Sequence, residues 1–480
     1  MSMNEDLMES LAGIVGATHV ITAEDDMAPY CEDWRGRYHG MARAVVSPAS
    51  TEEVARVVQL CVGHGVSLVP QGGNTGLCGG ATPITGDASV VLSLRRMNRI
   101  RHIDVLDRTL TVEAGCTLSQ VQEAADAHEC LFPLSLASEG SCQIGGNIST
   151  NAGGVHVLRY GNTRQMVLGL EVVLADGRIW HGLRRLHKDN TGYDLKQLFI
   201  GSEGTLGIVT AAVLKMVPKP AKRAVAWADV KSPDAALGLL DILRRRFGER
   251  VSAFELIGAP ALDVVLRHFP DSRRPTQADA EWSVLVEVAD VDPQSDIAGK
   301  LESALMSAYE GELLLDVVIA ASGAQEIALW ALRENISEAQ RLEGFSIKHD
   351  ISVPVSRIPE FIDQAGKAVE STAREARIVA FGHMGDGNLH YNLSCAQRKD
   401  NARLIERTAA LNEAVHDVVH ACDGSISAEH GLGQLKVEEI RRYKSALELE
   451  MLGKIKAVFD PECRLNPGKV VTRSENDSNM

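Results

Sequence analysis

Pro70-Gln71-Gly72-Gly73-Asn74-Thr75-Gly76, followed closely by Gly79-Gly80, comes straight after a short apolar run at 66–69 that has the length of a strand. Consecutive glycines let backbone N–H groups converge with no Cβ in the way. Asn74 and Thr75 add side-chain donors, so the loop has the makings of an anion cradle. A glycine-rich surface turn would carry the same residues, and this stretch alone does not separate the two readings. It is neither a G-x-G-x-x-G fingerprint opening a helix nor a Walker loop ending in Gly-Lys-Ser/Thr, which argues against a Rossmann nicotinamide site.

Two further glycine-rich elements lie downstream. Ser141-Cys142-Gln143-Ile144-Gly145-Gly146-Asn147-Ile148-Ser149-Thr150-Asn151-Ala152-Gly153-Gly154 holds two Gly-Gly pairs spaced by small polar residues, a backbone-lined groove for a large, flat, polar ligand. Gly201-Ser202-Glu203-Gly204-Thr205-Leu206-Gly207 precedes an apolar run at 208–214. Around these loops the patterning is mixed. Ser50 and Glu53 form a capping-box signature for a helix over 50–65 with Val54, Val57, Val58 and Cys61 on one face. Runs at 90–94 and 110–114 read as strands, and Leu118, Val121 and Ala125 return to helical spacing. Residues 167–174 and 178–180 flank Ala175-Asp176-Gly177 and predict a hairpin. Val217-Pro218-Lys219-Pro220-Ala221-Lys222-Arg223 suits neither a helix nor a central strand and marks the domain boundary. Beyond it, strand-like runs at 283–288, 313–318 and 346–353 alternate with helical patterns, so the second domain reads as α+β. One long amphipathic helix carries Leu404, Thr408, Leu411, Val415, Val418 and Val419, before a Gly-rich loop from Asp423.

At 480 residues the chain is multi-domain, and 45% hydrophobic with 24% charged residues is an ordinary globular balance. A net charge of −15 disfavours nucleic acid and anionic lipid as partners. Nine cysteines without a C-x-x-C pair indicate neither a disulfide framework nor a zinc knot. Glu5, Asp6 and Glu9 stand where a secretory signal would be basic and then apolar, and no run of about 18 uncharged apolar residues appears. A cytoplasmic protein without a membrane span is expected, with a frayed polar tail after Thr472.

The order P-Q-G-G-N-T-G, G-G-N-x-S-T-N-A-G-G, G-S-E-G-T-L-G-I resembles the FAD-binding domain of the vanillyl-alcohol-oxidase-type flavoproteins. The fold this implies is α+β: a two-lobed FAD-binding domain over 1–220, completed by 465–480, and an α+β substrate- and metal-binding domain over 221–464. The resemblance implies that Gly72, Gly73, Asn74, Thr75, Gly76, Gly140, Ser141, Gly145, Gly146, Asn151, Gly153, Gly154, Glu203, Ile208 and Asn466 contact FAD. Relatives with covalent flavin often place His in the first loop; Asn74 here implies non-covalent FAD.

In Phe381-Gly382-His383-Met384-Gly385-Asp386-Gly387-Asn388-Leu389-His390-Tyr391-Asn392 two histidines are separated by a strong turn sequence that folds one back beside the other. Later, Gly424-Ser425-Ile426-Ser427-Ala428-Glu429-His430-Gly431-Leu432-Gly433 presents a carboxylate and an imidazole among small residues. His383, His390 and Glu429 would make a two-His, one-carboxylate site with an open position, for zinc first and manganese or iron second. Asp386 serves a turn as readily as a metal and is left out. A helix over 328–342 puts Arg333 and Ser337 four apart on one face, and the strand after it offers Lys348, Asp350 and Ser352 on alternate positions. Arg and Lys so placed suit a carboxylate clamp.

R-E-x-I-[ST], K-x-D-[IL]-S-[VL]-P, G-H-x-G-D-G-N-L-H and S-x-E-H-G-[IL]-G resemble the C-terminal domain of FAD-linked 2-hydroxy-acid dehydrogenases, those acting on (R)-2-hydroxyglutarate most of all. That resemblance runs from about Asp33 to Val471, including Asn466-Pro467-Gly468-Lys469. It implies that Arg333, Ser337 and Lys348 bind substrate, that His383, His390 and Glu429 bind metal, and that Asn392 and His430 reach the substrate, with His430 as base. The same chemistry on D-lactate, D-malate or glycolate is the near alternative. A metallohydrolase, or a flavin-carrying structural subunit, are the rivals from other classes. An electron-transfer flavoprotein or a quinone-linked carrier is the acceptor the resemblance implies, and a homodimer is expected.

Overall fold

The computed structural model describes residues 3–86 and 89–471, so the polar tail after Thr472 lies outside the described residues. The chain divides into two compact units: 1–153 with 162–218 and 429–480, and 154–161 with 219–428. The expected break at 217–223 coincides with the crossover between them, but Lys222 and Arg223 already open the strand Lys222–Val230. The chain returns to the first unit at Glu429, earlier than the 465 drawn from sequence. Lys456 holds part of this returning segment. Its buried ammonium donates to the carbonyls of Thr205 and Leu465 and to Asp460, pinning the helix Ala446–Phe459 to the third glycine-rich stretch.

The first unit carries two main sheets. In one, the strands run Val20–Ile21, Ala42–Val46, Ser89–Ser93, Leu68–Gln71, parallel except for the first pair. In the other, Ile100–Asp104, Thr109–Glu113, Ile208–Lys215, Val167–Val173 and Ile179–Gly182 are antiparallel throughout. The helix Thr51–Gly63 begins at Ser50, whose hydroxyl takes the Glu53 N–H, and buries Val54, Val57, Val58 and Cys61. The Glu53 carboxylate reaches the N–H of Ala49 instead of that of Ser50, so the expected reciprocal box is only half formed. The hairpin at 167–182 forms as the Asp-Gly turn predicts, with Gly177 alone in its turn at positive φ.

The second unit is built on a seven-stranded antiparallel sheet. Its order is Leu314–Ile319, Lys222–Val230, Trp282–Asp290, Val251–Gly258, Ala376–His383, Asn388–Cys395, Asp350–Ser352. Two predicted helices are interrupted. The one expected over 328–342 breaks at Asn335, where ψ of −6° ends Gly323–Glu334 before Ile336–Glu343 begins. The one expected over 404–419 breaks at Glu406-Arg407 into Asn401–Ile405 and Thr408–Ala421; the Thr408 hydroxyl donates to the Ile405 carbonyl and competes with the helical ladder. The strand expected at 346–353 is regular only over Asp350–Ser352. Among the described residues no helix is long and apolar enough to cross a membrane.

Candidate active site

In the first unit the three glycine-rich stretches meet. A Cβ on Gly73 would lie 2.0 Å from the Ser141 carbonyl oxygen, so the first loop touches the second backbone to backbone. The second supports the third: Gly201 N–H donates to Ile148 O at 3.0 Å and Glu203 N–H to Ser149 O at 2.8 Å. The third closes on the first, where a Cβ on Gly204 would sit 3.1 Å from the Pro70 ring. Bare backbone from three segments therefore lines one region, which is the cradle a dinucleotide needs.

The glycines are not equivalent. Gly145 faces Ala114, and its added Cβ would be 2.8 Å from that methyl; Gly76, Gly140 and Gly146 face open space. Asn74, at φ 52°, spends its amide on the Pro29 and Glu32 carbonyls, holding the loop in its left-handed turn. Asn151, also left-handed at φ 52°, accepts the Arg164 N–H. Glu203 is buried, and its carboxylate accepts the N–H groups of Leu432 and Gly433 at 2.7 and 2.8 Å. Burial pushes its carboxyl above the ordinary value, against those two bonds. The Asn466 amide donates to the carbonyls of Gly80 and Glu203. Ile208 is packed in the core of the unit. The side chains of Glu203 and Asn466 thus tie loop segments together, and that of Ile208 packs in the core.

Glu429 belongs to the same unit. A Cβ on Gly153 would lie 2.4 Å from its carboxylate, so the end of the second glycine loop and this carboxylate are in contact. His430 follows it, ahead of the Leu432-Gly433 amides held by Glu203.

In the second unit the turn after His383 does what its residues require. Asp386 accepts the Asn388 N–H, Gly387 takes φ 93°, and the two strands pair so that Phe381 faces His390. The His383 and His390 rings come to 5.7 Å between centroids, nearly perpendicular. His383 Nδ1 lies 2.7 Å from a Glu255 carboxylate oxygen. Glu255 accepts Arg333 Nε on its other oxygen, also at 2.7 Å. Burial would raise the Glu255 carboxyl, but the charges of His383 and Arg333, and their hydrogen bonds, outweigh it and bring the group down to about 2. Arg333 also lies over the Phe381 ring, 4.9 Å from its centre. His390 Nδ1 is 3.8 Å from Asp350, which in turn accepts the Asn388 amide at 2.9 Å.

Such a donor set suits a divalent cation: two imidazoles side by side, one of them with Nδ1 on a carboxylate, so that Nε2 would be its ligating atom. Arg333 lies near the end of Gly323–Glu334 and Ser337 near the start of Ile336–Glu343, so the single helix expected to carry both is two; Arg333 is buried and Ser337 exposed. Lys348 precedes the regular strand instead of lying on it, and the buried Asn392 donates to Gln340 at 2.9 Å.

Comparison with known proteins adds to this geometry. Residues 42–182 match the family described as FAD binding domain, and residues 219–470 match FAD linked oxidases, C-terminal domain. The chain is 38% identical over 462 residues to D-2-hydroxyglutarate dehydrogenase, mitochondrial, of Arabidopsis thaliana, covering 96% of this chain and 80% of that protein. It is 37% identical to D-2-hydroxyglutarate dehydrogenase of Xanthomonas citri pv. viticola over 479 residues, 100% of this chain and 99% of the relative. The chain belongs to the FAD-linked oxidase family, in its 2-hydroxy-acid dehydrogenase branch. Among solved structures, p-cresol methylhydroxylase with substrate bound shares the fold of this FAD-linked oxidase at a TM-score of 0.77 and 18% identity, covering 98% of this chain and 97% of that one. The family makes the chain a FAD-dependent oxidoreductase.

Sequence reading of this FAD-linked oxidase missed Glu255. The signal is present in Val251–Gly258, a strand whose eight residues are all buried and which carries one charge in its middle. A carboxylate in such a place needs cationic partners, and they come from positions 78 and 128 residues away.

Proposed function

We propose that this protein oxidises (R)-2-hydroxyglutarate to 2-oxoglutarate. The observation that carries this reading is the buried Glu255 carboxylate, which gathers a guanidinium and one of two neighbouring imidazoles at the same end of a sheet. A substrate with a 2-hydroxy acid at one end and a carboxylate at the other calls for that combination. The relatives named for the same substrate support it.

The three glycine loops would hold FAD without a covalent bond, and the flavin would supply, at N5, the acceptor for the C2 hydrogen as hydride. A divalent metal, zinc in our reading, would be held by His383, His390 and Glu429 and would acidify the C2 hydroxyl. Glu429 is one peptide bond beyond Ala428, whose N–H bonds the Asp350 carbonyl in the second unit. His430 takes the hydroxyl proton as general base. Arg333, anchored through Nε, turns its remaining N–H groups to the distal carboxylate, with Lys348, Ser337 and Asn392 completing that end. Electrons leave to a carrier protein or a quinone.

Anaerobic mixing with a panel of (R)- and (S)-2-hydroxy acids, with and without chelator, tests the whole reading. Bleaching of the flavin band is expected with (R)-2-hydroxyglutarate, much less with D-lactate or glycolate, and not after chelation. Equal bleaching by D-lactate would overturn the substrate, and bleaching indifferent to chelator would overturn the metal.

A further inference from the structure

We propose that Glu255 is a positioning residue that couples the metal ligand His383 to the substrate clamp Arg333, so that one buried carboxylate sets the tautomer of the first and the direction of the second. The inference rests on the function proposed above.

Glu255 is fully buried in the strand Val251–Gly258 and paired in register with His383 on the neighbouring strand. One oxygen faces His383 Nδ1 and the other faces Arg333 Nε, each at 2.7 Å. An ionised carboxylate only accepts hydrogen bonds. His383 therefore carries a proton on Nδ1, and in the neutral ring that a cation requires the lone pair is then the one on Nε2. The same acceptor fixes Arg333 Nε and lays the guanidinium plane over Phe381. Both partners need an acceptor from the same side chain, and a neutral amide has only one. In Glu255→Gln, an amide oxygen turned to Arg333 points the NH2 at His383 Nδ1, which drives the imidazole proton to Nε2 and spoils the ligand. Turned the other way, the NH2 faces the Arg333 N–H and the guanidinium is displaced.

The coupling separates from a merely structural ion pair in three variants: Glu255→Gln, Glu255→Asp and Arg333→Met. Zinc affinity is read by competition with a chromophoric chelator on flavin-loaded protein, and KM and kcat for (R)-2-hydroxyglutarate are read separately. Glu255→Gln should lower zinc affinity by roughly 10- to 100-fold and raise KM as well. Arg333→Met should raise KM while zinc affinity stays within about twofold of wild type, since the acceptor for His383 remains. Glu255→Asp keeps two acceptors on a shorter stem and should restore part of both properties; it also serves if the Gln variant does not fold.

A folded Glu255→Gln protein with wild-type zinc affinity would overturn the coupling and leave the metal reading standing. Wild-type protein that binds no zinc, manganese or iron would overturn the metal reading itself. Arg333→Met losing zinc as severely as Glu255→Gln would show a structural pair that fails as a unit.

Discussion

Gly145 and Gly146 stand side by side in the helix Ile144–Thr150, yet replacing each by alanine should have effects of opposite sign on the flavin-free protein. A Cβ on Gly146 meets nothing within 4 Å, and the residue sits at ordinary negative φ. Gly146→Ala should therefore stabilise the helix by about 0.5 kcal/mol through reduced chain entropy, visible as a rise of roughly 1–2 °C in melting temperature. A Cβ on Gly145 would press to 2.8 Å from the Ala114 methyl and 3.2 Å from its carbonyl, inside a filled core. Overpacking of that kind costs about 1–3 kcal/mol, so Gly145→Ala should melt lower. Flavin binding then distinguishes them in another way. If the open side of Gly146 is the face on which FAD lies, the added methyl should weaken FAD binding by roughly 5- to 150-fold, the equivalent of about 1–3 kcal/mol. The assay is melting of the flavin-free protein together with FAD titration by fluorescence quenching. A Gly146→Ala variant that melts higher and binds FAD as tightly as wild type would refute the placement of the cofactor on that face.

Arg333→Met should lower kcat/KM for (R)-2-hydroxyglutarate by at least roughly 30-fold, about 2 kcal/mol for a lost charged partner, and leave D-lactate nearly unchanged; equal losses on both acids would remove Arg333 from the clamp. Gly153→Ala should push the Glu429 carboxylate from its seat, since the new Cβ would lie 2.4 Å from it, and zinc retained after gel filtration should fall; Gly140→Ala, with nothing within 4 Å, is the matched control. Glu171 offers a pH test: burial raises its carboxyl, but hydrogen bonds from Thr51, Arg101 and Thr210 and the Arg101 charge outweigh it and hold the group below its ordinary value. A depressed folded value means its stabilisation is complete above the ordinary carboxylate range and is lost as pH falls below about 4.5 toward the depressed value. Urea midpoints of wild type should thus fall more steeply there than those of Glu171→Gln, and parallel slopes would count against the network.

Much of the flavin-binding unit is legible in sequence because its information is local. Val54, Val57, Val58 and Cys61 recur at helical spacing and are all buried. The glycine loops announce themselves by composition, although composition could not say which glycines face packed backbone, such as Gly73, and which face space, such as Gly146. Nor could it distinguish side chains that brace the loops, Glu203 and Asn466, from backbone that lines them. The helix interruptions were not legible for the same reason. The apolar periodicity continues across both Asn335 and Arg407, and what stops each helix is one residue's backbone geometry or a side chain bonded to its own ladder.

The candidate site shows a sharper division. Its histidine pair is written in a turn sequence, so spacing and turn chemistry together suffice to bring His383 beside His390. What orients one of those rings is absent from the motif. Glu255 reaches His383 only because Val251–Gly258 pairs with Ala376–His383 in a register that sets the two residues opposite each other. Shifting that register by one residue would send the Glu255 side chain to the other face of the sheet and leave a carboxylate buried without either cation. Register and site geometry are therefore one constraint. The apolar residues flanking Glu255 on that strand hold the pairing, and through it they hold the chemistry of a histidine 128 residues away.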